Sequence, residues 1–276
     1  MKKINFFIKN RYPDLNGGVI CEPFVGGGGA LINMAEDFPA CKFHINDLNH
    51  DIYLMWIFFM TAEDRDYCDL YSRIEKQVVN LDEYRRIFDT PVQSHIDAAF
   101  KVIFLNKTSF NGIITRYRPI GGLEQKSKWG VGVYWKPDTL IKKIQRVRNA
   151  LSGKILSVSN EDFEPFLAKL TYDFAYADPP YLAYGENWYG CNFNLEDLKR
   201  LRMSLEKEDN WCISIDNSNE VVSLFHDKTC LPIGIKHTAK SAYKDGKSIL
   251  EVNELLVFPY LKTGFAPAME YEEVEF

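Results

Sequence analysis

Short apolar runs recur along the chain at 18–22, 42–45, 155–158, 172–177 and 211–215, and a longer one extends from Ile249 to Phe258. They are rich in β-branched and aromatic side chains and are bounded by Gly, Asn, Asp or Pro, the punctuation of strands in a buried sheet. Ala30–Glu36 and Leu195–Lys207 read as helices between them, and Asp245-Gly246 as a turn ahead of the last strand. Strand, glycine turn, helix, strand and acidic residue, in that order, predict the start of a doubly wound nucleotide-binding sheet.

From about Thr61 to Ser109 the pattern becomes helical, with polar residues interleaved and no strong strand signal. Residues 111–137 are richer in glycine, aromatic and basic side chains and predict a loop or hairpin. Asp138 stands where it would cap a further helix ending near Leu151. The expected organisation is an α/β domain formed by 1–60 and 151–276, a Rossmann-like sheet with helices on both faces. It is split by a mainly helical insertion, 61–150, that carries a hairpin. The nine-residue apolar run Ile52–Met60 is too short to span a bilayer and predicts a buried helix. No signal peptide is read at the N-terminus, so neither a membrane partner nor export is expected.

Charge changes this picture more than composition does. The net charge is −5, yet 101–150 holds eleven Lys and Arg against Glu124 and Asp138, a local +9 that leaves −14 for the rest. A polyanion responds to the local field, so the insertion is the expected face for a phosphate backbone. Lys142, Lys143, Arg146 and Arg148 put part of that charge on the helix ending near Leu151. The six cysteines (Cys21, Cys41, Cys68, Cys191, Cys212 and Cys230) are scattered without a C-x-x-C pair. That argues against a zinc site or a disulfide framework, suits a reducing cytoplasm, and leaves no metal expected.

Two motifs carry chemistry. Asp178-Pro179-Pro180-Tyr181 follows the strand at 172–177 directly, at the sheet edge where open α/β sheets bind ligands. The prolines fix two φ angles and remove two donors, so the turn offers the Asp178 carboxylate and the Pro179 carbonyl as acceptors. An exocyclic amine needs such acceptors, and Tyr181 offers a face on which an extruded base can stack. The second motif is Glu22-Pro23-Phe24-Val25 with Gly26–Gly29, where glycines let a ligand approach the backbone. Its spacing fits the dinucleotide fingerprint poorly, because the third glycine position falls on Leu31. Asp47, about twenty residues on, ends the second strand, where an acid can hold ribose hydroxyls.

These blocks, with Asn46–Asn49, Asn106–Gly112 and Glu251–Leu256, resemble the Dam-type adenine-N6 DNA methyltransferases in content and order, from about Gly17 to Tyr260. The resemblance implies an S-adenosylmethionine-dependent enzyme that methylates a flipped adenine in double-stranded DNA, inside a bacterial or phage-infected cell. It implies that Phe24, Gly26 and Gly28 lie against the methionine part of the cofactor, with Glu22 and Pro23 shaping the turn. Asp47 would bind the ribose, and Asp162 and Phe163 would flank the cofactor adenine. Phe163 reads equally well as a core aromatic. Asp178, Pro179 and Tyr181 would hold the target base. Asn106, Lys107, Asn111, Arg116, Arg118, Lys126 and Lys128 would meet DNA, some at phosphates and some at base edges. The sequence departs from the family pattern at its start, where Met1–Phe6 shows no glycine-lysine loop of the W-x-G-G-K kind: either the chain is shortened there, or Phe6, Phe7, Lys9 and Arg11 substitute in part. Cytosine N4 and RNA adenine remain alternative acceptors, and a methyltransferase-fold DNA-binding protein with impaired turnover and a nicotinamide oxidoreductase are the rival classes.

Overall fold

The computed structural model describes residues 2–182, 193–236 and 251–259. Seven strands form one mixed sheet: β1 (Val19–Glu22), β2 (Lys42–Asn46), β3 (Ile155–Ser159), β4 (Phe174–Ala177), β5 (Trp211–Asp216), β6 (Thr229–Lys236) and β7 (Glu251–Phe258). Their order is β3-β2-β1-β4-β5-β7-β6. The first five run parallel, and β7 is antiparallel to both β5 and β6. The order reverses between β1 and β4, so the crevice at their carboxyl ends is the switch point where such sheets bind ligands. Both chemical motifs emerge there.

The helices are α1 (Lys2–Arg11), α2 (Gly29–Asp37), α3 (His50–Thr61), α4 (Asp64–Lys76), α5 (Leu81–Asp89), α6 (His95–Thr108), α7 (Pro137–Leu151), α8 (Phe163–Ala168), α9 (Leu195–Leu205) and α10 (Asn219–Leu224). Strand residues alternate onto two cores. Ile20, Phe43, Ile45, Phe174, Tyr176, Cys212, Leu256 and Phe258 face the side covered by α1–α4, α6 and α7. Cys21, Ala175, Ala177, Ile213, Ile215, Leu255 and Val257 face α8–α10. No helix among the described residues is long and apolar enough to cross a membrane.

Several local expectations need correction. The run Ile52–Met60 is helical within α3, but only Met55, Trp56 and Phe58 are buried, because apolar residues surround the helix while α6 covers one side of it. The helix α7 starts on Pro137, whose fixed φ suits the first helical position, and its N-cap is Lys136, so Asp138 lies in the first turn and does not cap. Its apolar stripe, Leu140, Ile144 and Leu151, packs into the main core beside α2 and α4. From that position Arg146 pairs with Glu36 at 2.6 Å, and Arg148 pairs with Asp64.

No hairpin forms between Phe110 and Lys136; a single β-bridge, Ser109 with Pro119, closes an otherwise irregular loop. The side chain of Gln125 takes the place of a strand ladder there. Its Nε2 donates to the carbonyls of Ile120 (2.8 Å) and Gly122 (2.6 Å), and its Oε1 accepts from the Val131 amide at 2.8 Å. Gly121 is needed in that knot, since its φ is +86° and a Cβ would sit 2.5 Å from the Trp129 carbonyl. The insertion divides between cores. The helices α4 and α6 contribute Tyr67, Leu70, Ile74, Ala99 and Val102 to the main core, whereas Tyr84, Ile87, Phe104, Leu105 and Val131 form a small cluster of their own.

Strand β6 has no counterpart among the sequence expectations. Pro232 and Gly234 weaken its strand pattern, and both are tolerated because β6 is the sheet edge. The expected turn at Asp245-Gly246 lies outside the described residues. At the opposite end of the sheet from the motifs, Arg11 donates to the Pro259 carbonyl and lies over the Phe258 ring, while the Tyr12 hydroxyl donates to the carbonyl of Trp211, the first residue of β5. Arg11 is therefore placed away from the carboxyl-end crevice and does not substitute there for a glycine-lysine loop.

Candidate active site

The period of two that builds the core also builds the site. On the face lined by Ile20, Phe174, Cys212 and Leu256, the next positions toward the crevice are Glu22, Tyr176, Ser214, Asp216 and Glu254. Asp178 follows one residue after β4 ends. The face thus changes from apolar at one end to acidic and hydroxylic at the other. All five of these strand residues are buried. Two of their carboxylate oxygens, Glu22 Oε2 and Asp216 Oδ2, have no hydrogen-bond partner, and the Tyr176 hydroxyl has at most Ser214 beside it. Buried orphan atoms cost free energy in the free protein, and a ligand that donates hydrogen bonds or carries positive charge relieves that cost.

The proton affinities of this patch follow from its geometry. Burial pushes the Asp178 carboxyl up to about 7, and the nearby Glu254 carboxylate adds to the shift. Burial raises Glu22 well above the usual carboxylate range, with Asp178 and then Asp47 contributing like charge. Burial also raises Tyr176, with Asp178 the next cause. Pro179 is buried behind the carboxylate, and the Tyr181 ring packs against the α8–α10 core while its hydroxyl donates to Glu254 Oε1 at 2.6 Å.

The glycine turn between β1 and α2 is held from three sides. Asp47 accepts from the Gly26 amide with Oδ2 and from the Asn49 amide with Oδ1, both at 2.8 Å, and burial still lifts its carboxyl to about 6. Trp56 Nε1 donates to the Gly26 carbonyl at 2.9 Å. Asn46 joins the turn to the end of β3, donating to the carbonyls of Pro23 (3.0 Å) and Glu161 (2.9 Å) and accepting from the Glu161 amide at 3.1 Å. Gly28 is required on two counts: its φ is +70°, and a Cβ there would lie 2.3 Å from the Trp56 ring.

An aromatic wall completes this side. Phe24 lies 5.5 Å from Phe163 and 5.8 Å from Phe193, ring centre to ring centre. Phe163 is a core residue of the α8–α10 layer, and Arg200 stacks over its ring at 4.9 Å. Asp162 caps α8 through the Glu164 amide and pairs with Arg200 at 2.8 Å. Asp162 and Phe163 therefore both have structural partners beside the crevice.

Glycines with positive φ, an acid at the end of β2, an aromatic wall and a proline-stiffened acid at the switch point together fit a nucleoside-like ligand with cationic character. Among the described residues, no group of three or more His, Cys, Asp or Glu could hold a metal ion. The model of the D12 class N6 adenine-specific DNA methyltransferases matches residues 2–257, nearly the whole chain.

The chain belongs to this D12 class.

Similarity to individual proteins agrees. A type II methyltransferase of Methanocaldococcus jannaschii is 28% identical, with 68% of each chain covered. One from Lactococcus lactis subsp. cremoris is 25% identical, covering 72% of this chain and 70% of its own. A DNA N-6-adenine-methyltransferase of Escherichia phage P1 is 28% identical over 67% of this chain, though that covers only 24% of the phage protein. The D12 enzyme is thus an adenine-specific DNA methyltransferase that uses a methyl donor.

The residues expected from the sequence to meet DNA fall on one stretch, 106–128. Asn106 lies in the last turn of α6, with its Oδ1 accepting from Lys107 Nζ at 2.7 Å. Burial, and then Lys143, lower the Lys107 ammonium. Asn111 is exposed in the left-handed region with φ 55°, a conformation Asn tolerates. Arg118 is exposed, and its backbone is fixed by Phe110 N–H to its carbonyl (2.7 Å) and by its own N–H to the Tyr84 hydroxyl (3.2 Å). Arg116 is half-buried, Lys126 pairs with Glu124 at 2.7 Å, and Lys128 lies 5.7 Å from the Trp129 ring. The Tyr84 hydroxyl also bonds Ser109 Oγ at 2.9 Å, so a buried tyrosine ties α5 to both Ser109 and Arg118.

Residues that the sequence reading did not select are Tyr176, Ser214, Asp216 and Glu254 on the sheet face, Asn46 and Trp56 around the turn, and Phe193. A signal was available for Asp216 alone: it is the single acid of β5, at an inward-facing position where a charge has no packing reason to be.

Proposed function

We propose that the methyl donor is S-adenosylmethionine and that the acceptor is the N6 amine of an adenine flipped out of double-stranded DNA at a specific site. The observation that carries this reading is the acidic, partly orphaned patch at the switch point, Glu22, Tyr176 and Asp178, beside a glycine turn that admits no side chain at Gly28. Glu22, Pro23, Phe24, Gly26 and Gly28 would hold the methionine part of the donor, and Asp47 its ribose. Asp47 already uses one lone pair on each oxygen for Gly26 and Asn49, and a carboxylate can accept more. Asp162 and Phe163 would flank the donor's adenine. When bound, S-adenosylmethionine supplies a methyl group already activated on a sulfonium.

The protein's part is positioning, desolvation and charge stabilisation. Asp178 and the Pro179 carbonyl accept the two N–H bonds of the target amine, so that its lone pair turns toward the donor. The Asp178 carboxylate stabilises the positive charge that develops on N6, and the Tyr181 ring supports the base. No covalent enzyme–base bond is needed. Asn106, Lys107, Asn111, Arg116, Arg118, Lys126 and Lys128, carried by the segment with its own small core, would contact the DNA.

The test is incubation of the purified protein with methyl-labelled S-adenosylmethionine and duplex DNA, followed by nucleoside analysis and sequencing of modified positions. N6-methyladenine in one sequence context is expected. Label on cytosine N4, label on RNA alone, or label on adenine without sequence preference would overturn the corresponding part of the reading.

A further inference from the structure

The loop that carries the proposed acceptors leaves the sheet at Ala177, and its far side is secured at two points. The Tyr181 hydroxyl donates to Glu254 Oε1 at 2.6 Å, and the Leu182 amide donates to Asp216 Oδ1 at 2.8 Å. These two carboxylates belong to different strands but are direct neighbours in the antiparallel register of β5 and β7. Both are buried, at 6% exposure for Asp216 and 3% for Glu254. Like charges opposite one another in an antiparallel pair are unfavourable, and burial makes the pairing worse. A sequence selected for the sheet alone would place apolar residues there, as it does one pair further in with Ile215 and Leu255. The second Glu254 oxygen faces Ser214 Oγ at 3.4 Å, which sets the carboxylate from below.

We infer that Glu254 and Asp216 are positioning residues that clip the Asp178–Leu182 loop at both of its last two residues and so fix the Tyr181 ring in the pose that receives the target base. The inference rests on the proposed role of Tyr181 and adds what holds it. The antiparallel β7 has a use in this arrangement: inserted beside β5, it brings an acid from the middle of the chain's last described strand to a tyrosine 73 positions earlier. The phenol and carboxylate form a short, charge-assisted hydrogen bond, stronger than a neutral one, and the planar ring leaves little freedom once its hydroxyl is held. The Asp216 bond fixes the backbone one residue later, so the ring cannot turn by moving the chain.

The experiment is a double-mutant cycle on methyl transfer to duplex DNA, with kcat and the KM for DNA measured separately. Tyr181→Phe, which keeps the ring and removes only the hydroxyl, should lower kcat roughly tenfold, the loss of one charge-assisted bond, with KM changed less than about twofold. Glu254→Leu should give a similar loss, and the double variant should be no worse than the poorer single one. Glu254→Gln, which retains an acceptor oxygen, should recover most of the loss seen with Leu. Asp216→Asn should likewise exceed Asp216→Ala. Additive losses, or Gln no better than Leu, would overturn the clip. If Glu254→Leu does not fold, Tyr181→Phe alone decides: a kcat within about twofold of the unmodified protein overturns the inference, and a tenfold fall at constant KM supports it. Tyr181→Ala separates the two levels. Full activity there would overturn the role of Tyr181 itself, whereas a large loss beside an inert Glu254 would overturn only the clip.

Discussion

The acidic sheet edge and the basic loop of this molecule are built by opposite means. At the carboxyl edge of the sheet, charge is negative and buried or half-buried, and position follows from strand ends: β1, β2 and β4 stop within one register step of Glu22, Asp47 and Asp178. In the insertion, charge is positive and mostly exposed, and no strand sets the geometry. A buried tyrosine, Tyr84, and one glutamine, Gln125, pin the loop instead. The sheet edge tolerates little change because each acid is desolvated and coupled to the next. The loop can vary on its surface while the knot beneath it is kept. With the loop as the recognition surface, as proposed above, this division lets one chemistry be kept while recognition varies.

The largest effect should come from breaking the sheet edge at its centre. Asp178→Ala removes the acceptor and the charge facing N6, and methyl transfer should fall at least about a hundredfold, as when a preorganised charge-stabilising group is lost. DNA binding, which rests on the other region, should change little. Single-turnover transfer and a gel-shift titration on the same preparation check both halves.

Next in size is the cradle. Gly28→Ala forces a Cβ into the Trp56 ring at 2.3 Å on a backbone with φ +70°, and should destabilise the fold by about 2 kcal/mol or more while weakening donor binding. A fall in Tm together with a higher Kd for S-adenosylmethionine is expected. Gly27, which has open space around the position of a Cβ, is the control: Gly27→Ala should be far milder.

A smaller effect follows from pH, and its sign is opposite for stability and for binding. Asp178, lifted to about 7, and Asp47, lifted to about 6, both have folded-state values above the carboxylate range near 4. The stability they contribute is fully present below about pH 4 and is lost as pH rises through 6 and 7, because ionising them in the free protein is unfavourable. A sulfonium ligand favours the ionised forms. Its affinity should therefore rise with pH, by up to about tenfold per unit for each proton released, and level off above about 7. Calorimetry at three pH values, with thermal melts of the free protein at the same points, tests the two slopes together. Affinity that is flat from pH 5.5 to 7.5 would mean that neither carboxyl is linked to the donor.

The same contrast explains what could be read from the sequence. Strand ends are legible because apolar runs stop abruptly, so the glycine turn, Asp47 and Asp178–Tyr181 are placed at the crevice by the sequence alone. Glu254 and Asp216 were missed as site residues because their meaning depends on register, and no local pattern says which residue of β7 lies opposite which of β5. Strand β6 was missed because Pro232 and Gly234 weaken its pattern, which only its edge position excuses. In the insertion the sum of charge was legible but its direction was not. Arg146 and Arg148 count toward the basic total, yet Glu36 and Asp64 on α2 and α4 hold them. The knot of Gln125 left no sequence signal, since a glutamine in a glycine-rich loop reads as solvent-exposed.

The smallest effect, residue by residue, is also the one that best separates the two kinds of basic charge. Each phosphate contact contributes about 0.9 to the slope of log K against log salt on duplex DNA. If the insertion loop is the DNA face, replacing Arg118 and Lys128 together should lower that slope by up to about 1.8, with affinity falling alike for all sequences. Arg146 and Arg148 serve as the internal control. They carry the same charge, but their guanidinium groups are engaged by acids of the sheet-covering helices, so replacing both should leave the slope within about 0.5 of the unmodified protein. Lys142 and Lys143 are exposed on the same helix and are the informative intermediate pair. A loss of slope there would extend the DNA face from the loop onto α7, and no loss would confine it to the loop. An unchanged slope in the Arg118, Lys128 variant, with a reduced one in the Arg146, Arg148 variant, would reverse the assignment. The DNA would then lie along α7, and the loop pinned by Gln125 would need another explanation.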